Sequence, residues 1–363
     1  MSVWLPTAKL LNLAGVPYPY LNLIASGSAN VISEIKFEVT ERCNLSCSFC
    51  HQNFGVKDGI TDLDRKAYLR FLQAAKAERI PIVRITGGEP LLLKAADEYL
   101  RLAKEMGFKT IVNTNGTALT EKRVDGLKGL VDGFKISLPA ANEESMDAMT
   151  GHKGVWRRKW EAIERLEKHG FLVGVLTVMT TENIQRFQQF IDLLGPHETL
   201  RWQPLRAETQ DDGRRPVTAQ DIRSLAAYIA DARKSPRWKD LRLGLATPFC
   251  ALENPYDGVK LFCGGASCGP VKSLAVTSEG GVVACYSRRG ALDVSHGLRK
   301  AGQALATDDF EHLPAVCRHC PLAPQCRGGC RCEYALDDTP YGRIDYLAEP
   351  WRMPHAGEFA PPP

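Results

Sequence analysis

Cys43, Cys47 and Cys50 stand in the run Thr40-Glu41-Arg42-Cys43-Asn44-Leu45-Ser46-Cys47-Ser48-Phe49-Cys50, a C-x3-C-x2-C spacing with an aromatic residue directly before the third cysteine. Three thiolates can hold three irons of a [4Fe–4S] cube and leave the fourth iron without a protein ligand, and an open iron can bind and reduce a small molecule. The competing readings are a zinc site and three buried thiols. Zinc sites usually need a fourth protein ligand, and His51, adjacent to Cys50, is a poor tetrahedral partner.

The remaining cysteines gather far downstream. Of twelve in the chain, nine lie between Cys250 and Cys332, and none lies between Cys50 and Cys250. The start of the chain lacks the charged region and apolar core of a secretion signal. In a reducing cytosol such cysteines serve as metal ligands rather than disulfides. Their order is Cys250, Cys263, then Cys268-x11-Gly280-x4-Cys285, then Cys317-x2-Cys320-x5-Cys326-x3-Cys330, with Cys332 one residue further on. Cys317-x2-Cys320 also fits a zinc ribbon.

Between the two groups the sequence must supply a scaffold. Strand-like runs are expected at residues 34–40, 82–86, 110–115, 134–138, 173–179 and 200–205, with amphipathic helical patterns such as 95–106 and 156–169 between them. Repeated βα units predict a parallel sheet with helices outside, an α/β fold. Active groups of such barrels sit in the loops at the C-terminal strand ends, which is where the first cysteine loop falls. A helix over residues 218–234 with Thr218 as N-cap, a further strand at 242–247 and a β-hairpin around Gly280 are expected before the last cysteines.

The second expected strand ends in Gly87-Gly88-Glu89-Pro90. Two glycines let the backbone approach a ligand closely, and the Glu89 carboxylate can pair with an ammonium group. Together with the first three cysteines, this run resembles the radical SAM superfamily. The resemblance implies a partial (β/α)6 TIM-like barrel in which the Cys43/Cys47/Cys50 [4Fe–4S] cluster chelates S-adenosylmethionine. It implies a Gly87–Pro90 motif that binds the methionine amino group, and reductive cleavage to a 5′-deoxyadenosyl radical. Phe49, Asn115 and Ser137 are carried over as cofactor contacts, the last two from strand ends; ordinary turn chemistry is the alternative for Asn115-Gly116.

The downstream pattern resembles the SPASM extension of the same superfamily, which implies two auxiliary [4Fe–4S] clusters. By that resemblance the first would use Cys263, Cys268, Cys285 and Cys330, and the second Cys317, Cys320, Cys326 and Cys332. The chain departs from the family pattern at Cys332, where a longer gap is usual. If Cys332 cannot reach, the second cluster has an open iron or another fourth ligand. Cys250 is left over. It could donate a hydrogen atom to a substrate radical, be an inert buried thiol, or replace Cys263 as a ligand.

The expected organisation is an N-terminal cap segment (1–33), the barrel (34–236), the auxiliary-cluster region (237–336) and an extended or disordered Pro-rich tail (337–363). Apolar residues make up 44% of the 363, enough for a sizeable core, and the net charge of +4, with no long basic run, suggests no nucleic-acid partner. The absence of an 18-residue apolar stretch suggests no membrane span, and a cytoplasmic enzyme is expected. Base rates for the extension favour oxidation or bond formation on a peptide or protein. The alternatives are dehydrogenation or epimerisation of an aminoglycoside- or cyclitol-like product, and a non-catalytic electron carrier. An electron donor of flavodoxin or ferredoxin type would be required.

Overall fold

The computed structural model describes residues 32–52, 59–209, 217–263, 272–287, 290–311, 313–333, 345–349 and 352. The expected cap segment (apart from Ile32 and Ser33), the loop at 211–216, and Cys268 lie outside the described residues.

Six parallel strands form the centre: β1 (Glu34–Glu38), β2 (Ile82–Thr86), β3 (Lys109–Thr114), β4 (Gly133–Ser137), β5 (Leu172–Met179) and β6 (Arg201–Arg206). Each lies within a residue or two of its expected bounds. Helices α1 (Arg65–Ala77), α2 (Ala96–Glu105), α3 (Glu121–Gly126), α4 (Glu143–Thr150), α5 (Val155–Lys168) and α6 (Phe187–Leu194) fall in the connections. Local chemistry starts several of them: Asp64, Thr120 and Asn142 cap α1, α3 and α4 by accepting hydrogen bonds from first-turn amides. The strands follow one another in spatial order, so each helix is a crossover between neighbouring parallel strands.

The sheet does not end with these six. Helix α7 (Ala219–Ala232) is capped by Thr218 in a reciprocal capping box with Asp221, and leads into β7 (Leu243–Ala246) and β8 (Phe262–Cys263) beyond β6. At the other edge β9 (Ser273–Val276) pairs in parallel with β1 and in a hairpin with β10 (Val282–Val283). The expected boundary at residue 236 therefore falls inside one ten-stranded arc, β10-β9-β1 through β8. The arc is a partial barrel with two edges, and the cysteine-rich region extends both.

Alternation along the strands separates an apolar outer layer from a polar interior. Ile35, Phe37 and Val39 of the β1 region join the hydrophobic core, as do Val83, Ile85, Phe134 and Ile136. Glu34 forms an ion pair with Arg84, and Lys135 sits within their electrostatic reach, its ammonium held well below the usual lysine range by burial. The aromatic rings of Phe187, Phe190, Trp202, Tyr228 and Trp238 stack or tilt against one another and weld α6 and α7 to β6. Among the described residues no helix is long and apolar enough to cross a membrane.

Of the expected extended or disordered tail, residues 345–349 pack against the barrel. Asp345 and Leu347 are buried, Asp345 makes a buried ion pair with Arg206, and Glu349 pairs with Arg223 of α7. A charge and a leucine that find partners in the barrel offset the ordering cost that the tail's composition suggested would win.

Candidate active site

The cysteine loop leaves β1 at the C-terminal end of the sheet and is held from three sides. Thr40 bridges to Asp62, and Glu41 N–H donates to the Thr61 carbonyl. The Ser46 and Ser48 amides donate to the carbonyls of Thr150 and Met149 at the end of α4, at 3.2 and 2.9 Å. Leu45 is buried in the core. Cys50 N–H donates to the Cys47 carbonyl at 3.1 Å, closing a turn that brings the last two cysteines together. Phe49 packs against the core beside them. Burial pushes the Cys43 thiol up and Cys47 to about 12. Thiolate ligation here must therefore displace protons, so a bound cation must supply the stabilisation.

The Gly87–Pro90 run straps this loop from the neighbouring strand. Gly88 N–H donates to the Thr40 carbonyl at 2.8 Å and Glu89 N–H to the Arg42 carbonyl at 2.6 Å. A Cβ at Gly87 would come within 2.2 Å of the Thr40 carbonyl oxygen, and one at Gly88 within 2.2 Å of that of Arg42. Gly87 also has a φ of +141°, so glycine is required there twice over.

Glu89 is fully buried. Its carboxylate accepts from Thr114 Oγ1 (2.7 Å), Asn115 N–H (2.6 Å) and Leu91 N–H (3.1 Å). Burial raises its pKa against these three donors. Both oxygens hold the strand ends together, and with three donors on two carboxylate oxygens an acceptor position remains for a further donor such as a ligand's ammonium group. Asn115 links the same cluster to the cysteine loop, since its side-chain amide donates to Asn44 Oδ1 at 2.9 Å. Ser137 contributes its carbonyl, which accepts from Lys159 Nζ at 2.8 Å.

Lys159 escaped the sequence reading. It lies on the inward face of α5 with Val155, Ala162, Ile163 and Leu166, all buried. A lysine at a helical core position is itself a legible signal, because an unpaired buried ammonium is costly. Burial brings it down to about 8, against the pull of Cys47, Glu89 and Cys43 nearby. A cation thus stands among two thiols and a carboxylate, where an anionic cluster or a ligand carboxylate would be neutralised.

The downstream cysteines do not group as expected. Cys332 Sγ lies 3.4 Å from Cys285 Sγ and also contacts Cys330. The shared hydrogen bond lowers Cys285 and raises Cys332. Cys317, Cys320 and Cys326 line a separate cavity whose fourth cysteine is Cys250, not Cys332. Cys263 lies at the far edge of the sheet, where Lys272 and Arg242 are the described side chains that act on it. Among the described residues no three His, Cys, Asp or Glu side chains converge on a single-ion position. Beside Cys330, Arg206 is wholly buried, and its Nε and Nη2 have no hydrogen-bond partner among the described residues. Two orphaned donors next to a thiol group suit the sulfides of an anionic cluster.

Together the arc, the cysteine loop and the glycine strap define a partial-barrel scaffold with three thiols at its mouth. Residues 37–194 match the radical SAM superfamily, and the cysteine-rich remainder is the part that resembles the SPASM extension. The chain is 26% identical over 314 residues to the PqqA peptide cyclase of Ruegeria pomeroyi, covering 82% of this chain and 81% of the relative. The structure of Streptococcus suis SuiB bound to S-adenosylmethionine superposes with a TM-score of 0.67 at 18% identity, covering 91% of this chain and 80% of SuiB. That of anSMEcpe with bound AdoMet and the Kp18Cys peptide gives 0.65 at 17% identity, covering 86% and 93%. These two show the shared fold.

Proposed function

We propose that this protein is a radical SAM enzyme that modifies a peptide. The observation that carries the reading is the strap: main-chain bonds from Gly88 and Glu89 to Thr40 and Arg42 fix the Gly87–Pro90 run against the three-thiol loop. Cys43, Cys47 and Cys50 would hold a [4Fe–4S] cluster. With S-adenosylmethionine bound, that cluster would supply the electron for its reductive cleavage to methionine and a 5′-deoxyadenosyl radical.

The chain's own residues orient and neutralise. The strap offers carbonyls to an ammonium group, and Lys159 offers a positive charge to a carboxylate. These are the two ends of an amino acid, so the pair selects a zwitterion. Glu89, Thr114 and Asn115 tie β2, β3 and the cysteine loop into one unit, so the site is preorganised rather than gathered on binding. The peptide assignment is supported by the relative named for the PqqA peptide and by the peptide-bound anSMEcpe structure. Net oxidation or bond formation would pass an electron to the downstream clusters.

The test is anaerobic reconstitution with iron and sulfide, then incubation with S-adenosylmethionine and dithionite. The reconstituted protein is expected to release 5′-deoxyadenosine, and Cys43→Ala to release none, because two thiolates cannot hold an open-iron cube. A protein that binds iron yet never cleaves S-adenosylmethionine would be an electron carrier instead. Among candidate substrates, consumption of a polar carbocycle but no peptide would overturn the peptide assignment.

A further inference from the structure

We propose that Cys250, Cys317, Cys320 and Cys326 form one four-thiolate iron–sulfur site, and that Cys332 belongs with Cys285 and Cys330. The inference rests on the reading that the downstream cysteines hold clusters, and it reassigns their ligands.

The first ground is the cavity. Cys250 lines it together with Cys317, Cys320 and Cys326, and the remaining walls are apolar, including Phe249 and Leu322. Sulfur is the only metal-binding side-chain donor there, and four thiolates select iron–sulfur or zinc over harder metals. The second ground is how Cys250 arrives. Strand β7 ends at Ala246, and a single 3-10 turn over Phe249–Ala251 carries Cys250 to the cavity. The amide of Phe249 donates to Cys326 Sγ at 3.4 Å, so the Cys250 turn and the Cys326 turn are already joined through a sulfur. Such N–H···S bonds tune the charge on cluster thiolates.

The third ground is that Cys332 is committed elsewhere. Its Sγ sits 3.4 Å from that of Cys285. The next residue, Glu333, accepts hydrogen bonds from Thr209 after β6, from its amide at 2.9 Å and from its hydroxyl at 2.5 Å. The turn that carries Cys332 is thus anchored to the barrel on the Cys285 side. The short Cys330-x-Cys332 spacing, anomalous for a downstream fourth ligand, becomes the natural spacing for two ligands of one centre. Cys250 is then a ligand rather than a hydrogen-atom donor.

The experiment uses the full chain with Cys43, Cys47 and Cys50 all changed to Ala, which leaves only the downstream sites. After anaerobic reconstitution it is expected to hold about eight irons. Adding Cys250→Ala should lower this to between about four and seven, with a three-iron EPR signal in the oxidised state where the cube keeps three corners. Adding Cys332→Ala instead should leave the spectrum of the Cys250 centre intact and alter the other. Unchanged iron and an unchanged spectrum in the Cys250→Ala protein would overturn the assignment while leaving the cluster reading in place. A parent protein that holds no iron overturns both, and one that takes up zinc alone overturns the iron–sulfur assignment.

A second readout needs no variant. In the unaltered reconstituted protein Cys250 should resist alkylation, and become labelled together with Cys317, Cys320 and Cys326 once the clusters are stripped. Labelling of Cys250 in the loaded protein, or its continued resistance while the other three react, would count against the site.

Discussion

At Gly88 the demand on a residue is geometric. A methyl group there would overlap the main chain of Arg42, with the carbonyl carbon at 2.6 Å and the Glu41 oxygen at 2.9 Å. Backbone cannot swing away as a side-chain end can, so the strap must lift. Gly88→Ala is expected to cost about 2 kcal/mol of stability. It should also abolish S-adenosylmethionine binding, because the carbonyls of the strap move with it. Thermal unfolding and equilibrium dialysis on the reconstituted protein check both. The glycine pair was legible in the sequence, and so was its position at a strand end. The hydrogen bonds of Glu89 were not: the sequence shows a carboxylate between Gly88 and Pro90, not the groups that donate to it. Only the fold brings Thr114 and the Asn115 amide onto it. Lys159 makes the opposite case, a residue invisible as a motif yet marked by its place among apolar neighbours on one helix face.

At the scale of elements, the strands were read well because their core faces are apolar and their turns carry Gly, Asn and Asp. What positions them against each other is partly electrostatic. Asp132, just before β4, accepts from Thr110 N–H at 2.8 Å and from Lys104 Nζ of α2 at 2.9 Å. It thereby joins α2, β3 and β4 at the end of the barrel opposite the cysteine loop. Burial alone would raise its pKa, but Lys104, the Thr110 amide and Lys109 outweigh it and hold the carboxyl below the usual range. A carboxylate with a depressed folded value stabilises the fold above its unfolded pKa, and that contribution disappears as the pH falls through the folded value. Asp132→Asn should therefore lower stability at neutral pH by about 1 kcal/mol, allowing for partial solvent screening. The gap should close progressively below about pH 4. Urea unfolding of the iron-free protein at a series of pH values measures it; a gap that widens in acid would contradict the assignment.

At the scale of the whole molecule, the late chain returns to the barrel. Asp345 Oδ2 accepts from Arg206 Nη1 at 2.7 Å and from the Cys330 amide at 2.9 Å, and both charged side chains are wholly buried. One carboxylate thus connects the end of β6, a downstream cysteine and the last described segment. Removing it leaves Arg206 charged, with none of its remaining donors paired. Asp345→Asn is expected to cost about 3 kcal/mol or more, as for other broken buried pairs. It should also speed proteolysis after residue 333 and weaken iron retention at the centre that includes Cys330. Proteolysis and iron content unchanged from the unaltered protein would show that the pair is dispensable.

What the sequence by itself determined is the set of chemical parts. The C-x3-C-x2-C loop, the Gly-Gly-Glu-Pro run and the βα alternation are local patterns, each written within a few dozen residues, and local patterns are what spacing can express. The tertiary structure decided which downstream thiols share a space. Cys250 follows β7 and Cys326 lies in a turn 76 positions later, and they meet because the sheet continues past β6 and the chain doubles back over its edge. Cys285 and Cys332 meet because β9 and β10 are added beside β1 while the turn holding Cys332 is tied to the end of β6. The family resemblance alone placed Cys332 with Cys317, Cys320 and Cys326; a ligand set is chosen by distance in space, and closing such long loops is governed by strand pairing and burial rather than by separation along the chain.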